Sequence, residues 1–140
     1  MGLGRHILCL LALAVPLAVA GGLWHPHRPR WHDALLGPDE VDLATARSWP
    51  QALWCDARDP SAFAAGHVPG ALSLTESGWD DDFAQVVQHW SPERPIVVYC
   101  SSSSCDASTA VAARLRHDLG SGQVWVLHGG WEAVQAGDTP

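Results

Sequence analysis

Of the residues able to carry covalent chemistry, Cys100 has the most informative surroundings. It ends the apolar run Val97-Val98-Tyr99 and opens Ser101-Ser102-Ser103-Ser104-Cys105-Asp106, after which an Ala-rich stretch begins. The pattern is that of a buried strand, a short loop of small residues and a helix start. In open α/β sheets the crevice beyond the C-terminal strand ends is where ligands bind. A cysteine there faces converging backbone N–H groups and the positive end of a helix. Both favour thiolate over thiol, and such thiols have pKa values of roughly 3.5 to 7.5. These surroundings suit Cys100 as a nucleophile or as the holder of a persulfide. A strand-end cysteine with nothing further around it is more often a small buried hydrophobe.

Three other cysteines are present, Cys9, Cys55 and Cys105. Cys9 lies inside an apolar leader, and the remaining three are an odd number, so a complete disulfide framework is not encoded. Cys55, between Trp54 and Asp56, reads as a packing residue. Cys105 has two readings: a resolving thiol that attacks a Cys100 persulfide, or a small side chain beneath the loop. Geometry separates them, because a bridge needs Cα atoms within about 7 Å.

The elements that must position this loop follow from hydrophobic pattern and breakers. Short β-like runs are expected near Val41 and over 52–56, 71–74, 95–99 and 124–127. The run 95–99 is apolar throughout, as a central strand covered on both faces would be. Helices are expected from an Asp42 cap through Arg47, over 60–65 with Pro60 in the first turn, over 80–90, over 106–119 with Gly120 as terminator, and from Trp131. Strands alternating with helices define an α/β domain with a mostly parallel sheet.

Four segments now fall into one order: Asp56-Ala57-Arg58; Gly66-His67-Val68-Pro69-Gly70-Ala71; Ile96-Val97-Val98-Tyr99-Cys100; and Val126-Leu127-His128-Gly129-Gly130-Trp131. In order and spacing the chain resembles the rhodanese-like (sulfurtransferase) domain family over about residues 38–137. The resemblance implies a three-layer α/β fold, a parallel sheet flanked by helices, and an active-site loop of six residues from Cys100 to Cys105. It also implies that Cys100 accepts a sulfane sulfur and passes it to a thiophilic acceptor, with Ser101, Ser102, Ser103, Ser104 and Cys105 around the substrate. Asp56, Arg58 and His67 read as fold-holding polar residues rather than chemistry, and Gly66 and Gly70 suit turns needing positive φ.

This chain departs from the family in two ways. Family loops usually carry basic residues or Thr and a Gly, which help hold an anionic donor such as thiosulfate; here the loop offers four serines and a second cysteine, with no side-chain cation. Backbone amides and hydroxyls still bind an anion or a persulfide. A neutral persulfide or a partner protein's thiol is therefore at least as plausible a donor as thiosulfate. The second departure is Cys105 itself.

The chain has 140 residues, 15 acids, eight arginines and no lysine. One small domain is all that this length builds once the leader is set aside. Such an acidic surface repels phosphate backbones, which excludes nucleic acid as an expected partner. The expected partners are a small sulfur-containing substrate or a partner-protein thiol, the expected state is a monomer, and no metal or cofactor is expected.

Residues 7–23 (ILCLLALAVPLAVAGGL) follow Arg5 and precede a linker rich in Pro, His and Arg. This gives the n-region, h-region and small-residue cleavage site of a secretory signal, or an N-terminal hydrophobic helix short for a membrane anchor and interrupted by Pro16. The expected organisation is a signal peptide or anchor over 1–23, a linker over 24–37 and a rhodanese-like domain over 38–140. The expected location is the cell envelope, periplasmic or otherwise outside the cytoplasm, and membrane-attached if the segment is uncleaved.

Other functions compete. A Cys-loop phosphatase or arsenate reductase is excluded, since the position that would carry its closing Arg is Asp106, a carboxylate that repels a phosphate dianion. Thiol–disulfide redox chemistry between Cys100 and Cys105 suits an oxidising compartment. A non-catalytic rhodanese-like binding module at the membrane is the third reading.

Overall fold

The computed structural model describes residues 36–102 and 106–137. The leader, nearly all of the linker, Ser103, Ser104, Cys105 and residues 138–140 lie outside the described residues. Among the described residues no helix is long and apolar enough to cross a membrane.

In chain order the elements are β1 (Glu40–Val41), α1 (Leu43–Arg47), β2 (Leu53–Asp56), α2 (Pro60–Ala65), β3 (Leu72–Ser73), α3 (Trp79–His89), β4 (Ile96–Tyr99), α4 (Asp106–Leu119), β5 (Val124–Leu127) and α5 (Gly130–Gly137). The local signals act as expected at several ends. Asp42 caps α1 by accepting the Thr45 N–H at 2.9 Å. Asp59 caps α2 by accepting the Ser61 and Ala62 N–H groups, each at 3.0 Å, with Pro60 in the first turn where no N–H is needed. These bonds hold the Asp59 carboxyl below its ordinary pKa, the Ser61 hydroxyl contributing most.

All four strand pairings are parallel, in the order β1-β5-β4-β2-β3. β4 is central and fully buried, and its alternating side chains build two cores. Ile96 and Val98 join Leu53, Cys55 and Val124 beneath Trp79 and Val86 of α3 and Val111, Ala112 and Leu115 of α4. Val97 and Tyr99 join Val41 and Leu127 beneath Ala46 of α1 and Val134 of α5, with Phe63 of α2 packed alongside. The period of two along a strand covered on both faces is what makes the run apolar throughout.

The chain departs from the expected boundaries by a residue at most of the shifted ends. α3 starts at Trp79 because that ring is buried, at 4% exposure, and stacks on Phe83 one turn on. β3 pairs over two residues because it lies on the sheet edge and meets only β2.

The connections leaving β2 and β4 diverge. α2 packs on one face of the sheet and α4 on the other, although β2 and β4 are neighbours. This is a topological switch point, and the crevice outside the C-terminal ends of these two strands is the place where a doubly wound sheet binds its ligand.

Candidate active site

Cys100 directly follows β4 at that crevice and is 3% exposed. Its carbonyl accepts the Trp131 N–H at 2.7 Å, and the Ser101 carbonyl accepts the Glu132 N–H at 3.2 Å. First-turn N–H groups lack partners within their own helix, so the start of α5 satisfies them on the first two carbonyls of the loop. Turning those carbonyls toward α5 fixes the direction in which the loop leaves the strand.

The approach needs glycine. A Cβ on Gly130 would lie 2.5 Å from the Cys100 carbonyl oxygen and 3.0 Å from the Ser102 nitrogen, and Gly130 has φ +55°. Its neighbour Gly129 has φ +78°. That this pair clamps the loop was missed from sequence; two consecutive glycines between a strand and a helix were the available signal. Gly130→Ala is expected to cost more than the roughly 1–2 kcal/mol of a non-glycine residue at positive φ, because the loop backbone must also move. An unfolding free energy from urea titration lowered by less than this amount would show that the contact is soft.

Cys100 is joined in a disulfide whose second sulfur lies outside the described residues. Cys55 is free and buried. Burial pushes the Cys55 thiol up to about 12, so it stays protonated and inert, as its place between Trp54 and Asp56 suggested. Of the serines expected around the substrate, Ser101 is exposed and Ser102 half-buried at the start of the loop.

Beside the loop lies a buried polar network. Arg58 bonds Asp56 through Nε at 2.9 Å and Nη2 at 2.6 Å, and Nη2 also donates to the Gly66 carbonyl at 2.6 Å. The bond to Asp56 raises the Arg58 pKa further, so this cation is permanent. Its guanidinium lies 4.4 Å from the Trp131 ring and 5.7 Å from the Tyr99 ring. The Tyr99 hydroxyl accepts the Val68 N–H at 3.1 Å, a role not foreseen from sequence, and burial raises its pKa. His67 is exposed, bonds the Phe63 carbonyl through Nδ1 at 2.9 Å, and stacks on the Phe63 ring. Asp56, Arg58 and Tyr99 thus tie the 66–68 turn to the β2 and β4 ends, and Trp131 ties Arg58 to the Cys100 carbonyl.

The architecture is that of a doubly wound α/β domain with a cysteine at the switch point. The chain belongs to the rhodanese-like domain family, whose sequence profile matches residues 38–137. It is 36% identical over 83 residues to the thiosulfate sulfurtransferase GlpE of Tolumonas auensis, a match covering 59% of this chain and 72% of that protein. It resembles the BH2092 protein of Bacillus halodurans at a TM-score of 0.57 and 26% identity, covering 71% of this chain and 72% of that one. A thiosulfate sulfurtransferase of Pseudomonas aeruginosa shares the fold at a TM-score of 0.58 and 24% identity, over 73% of this chain but 19% of the other.

Proposed function

We propose that the domain is a sulfurtransferase that carries sulfane sulfur on Cys100. The observation that supports this most is a cysteine at the switch point of a rhodanese fold, its carbonyl pinned by α5 so that the loop leaves β4 in one direction. With the disulfide reduced, the Cys100 thiolate attacks the outer sulfur of a donor R–S–S⁻. The donor S–S bond breaks, R–S⁻ leaves, and Cys100 holds a persulfide. An acceptor thiolate then takes the terminal sulfur and releases the Cys100 thiolate. Backbone amides and serine hydroxyls of the loop supply the hydrogen bonds for the transferred sulfur. The apolar run over 7–23 supports export to, or anchoring in, the cell envelope.

A redox reading is favoured by one specific observation, the oxidised state of Cys100. In this reading Cys105 is the second thiol: it attacks the inner sulfur of the persulfide, expels hydrosulfide and leaves a Cys100–Cys105 disulfide. Intact mass after reduction, removal of reductant and exposure to a sulfane-sulfur donor separates the possibilities. A gain of one sulfur supports transfer; a loss of two hydrogens supports redox. No change supports a binding module and overturns the proposal. Cys105→Ser is expected to lengthen the life of the persulfide under oxidising conditions without slowing loading. Equal persulfide lifetimes in variant and wild type would leave Cys105 a packing residue.

A further inference from the structure

Because every strand is parallel, every strand delivers the residues that follow it to the edge where Cys100 sits. Those residues are strongly acidic. Asp59 follows β2; Glu76, Asp80 and Asp81 follow β3; Asp106 opens α4 at the far end of the Cys100 loop; and Glu132 is in the first turn of α5. All six are exposed. Glu132 is next to the loop, since its own N–H bonds the Ser101 carbonyl.

The described arginines balance only part of this charge, which leaves Asp106 and Glu132 as the acids beside the loop. Arg58 is at the same edge but is 7% exposed and committed to Asp56 and Gly66. Arg94 bonds the Gln51 and His89 carbonyls ahead of β4, at the opposite edge. Arg116 bonds the Val124 carbonyl where β5 begins, also at the opposite edge. Arg47 ends α1, whose start is the end nearer the C-terminal edge. Arg114, its guanidinium 4.3 Å from the Trp79 ring, lines one pocket with Glu76, Asp80 and Asp81 and offsets part of their charge. At the C-terminal edge, His128 pairs with Glu40 at 3.2 Å. The loop itself brings no side-chain cation.

We infer that Asp106 and Glu132 set substrate specificity by charge: the site selects against dianionic donors such as thiosulfate and accepts persulfides or thiols of net charge zero or above. This rests on Cys100 as the sulfur carrier. A unit negative charge about 8 Å from a dianion weakens its encounter about sixfold in unscreened water and about twofold at physiological salt. Taking that separation for scale, Asp106, which opens α4 after the loop, and Glu132, whose N–H bonds the Ser101 carbonyl, act in the same direction.

The test uses the reduced full chain with two donors of opposite character: thiosulfate, a dianion, and cysteamine persulfide, whose ammonium cancels the persulfide charge. The two differ in intrinsic reactivity, so the readout is how each responds to salt and to substitution. Loading of Cys100 is followed by intact mass. Raising ionic strength from about 0.02 to 0.2 M is expected to speed thiosulfate loading threefold or more, through screening, and not to speed cysteamine persulfide. The double substitution Asp106→Asn and Glu132→Gln is expected to speed thiosulfate loading at low salt by a similar factor, to remove most of its salt dependence, and to give cysteamine persulfide no gain. If both donors load the wild type but neither salt nor the double substitution changes their ratio, the charge inference is overturned while Cys100 remains the carrier. If neither donor loads the wild type, both readings fall together.

Discussion

Cys100→Ser is expected to abolish sulfur loading completely while leaving the domain folded. A serine hydroxyl stays protonated at neutral pH and forms no persulfide, so no residual route through position 100 exists. The fold should tolerate the exchange: one oxygen replaces one sulfur, and the bond from the Trp131 N–H to the carbonyl at position 100 does not depend on the side chain. The comparison belongs under reducing conditions, because the wild-type disulfide would otherwise add its own stabilisation. Intact mass should show no added sulfur on the variant, with a urea midpoint close to that of the reduced wild type. Loading equal to wild type would place the carrier elsewhere.

The largest stability effect is expected from Arg58→Ala. The Arg58 and Asp56 side chains are 6% and 0% exposed, and removing the guanidinium strands the Asp56 carboxylate in the core. Breaking a buried pair from one side costs about 3–5 kcal/mol, against a total of roughly 5–15 kcal/mol for a whole domain. The same change removes the donor to the Gly66 carbonyl and the cation over Trp131. The double replacement Asp56→Leu with Arg58→Met removes both charges and should lose less than Arg58→Ala does. Equilibrium urea unfolding measures both; a single variant that lost under about 1 kcal/mol would mean that water reaches Asp56.

The fold was legible wherever a local signal and the tertiary environment asked for the same thing. The run 95–99 is apolar on both alternating sets because β4 is covered on both faces, and the Asp42 and Asp59 caps act within three residues of themselves. The place of Cys100 directly after β4 was legible for the same reason, since strand, loop and helix start are contiguous in sequence. What stayed hidden were contacts across sequence distance. Nothing near Gly130 says that a carbonyl thirty residues earlier sits against it, and nothing near Tyr99 announces that its hydroxyl receives the Val68 N–H. Acidity of the edge that carries Cys100 was hidden too: six carboxylates scattered from position 59 to 132 come to one edge only once all strands are known to run in parallel.

Cys55 gives the molecule an internal standard. It sits in β2, paired with Val98 of β4, with no exposure and a thiol held up to about 12. In the folded chain it is a spectator, silent toward alkylating reagents at neutral pH and counted only after the core opens. A maleimide count on the reduced native protein therefore reports on the other cysteines, and the arrival of one further label reports global unfolding. The residue that takes no part in sulfur chemistry thereby becomes the clock against which that chemistry and the integrity of the fold are read in the same spectrum.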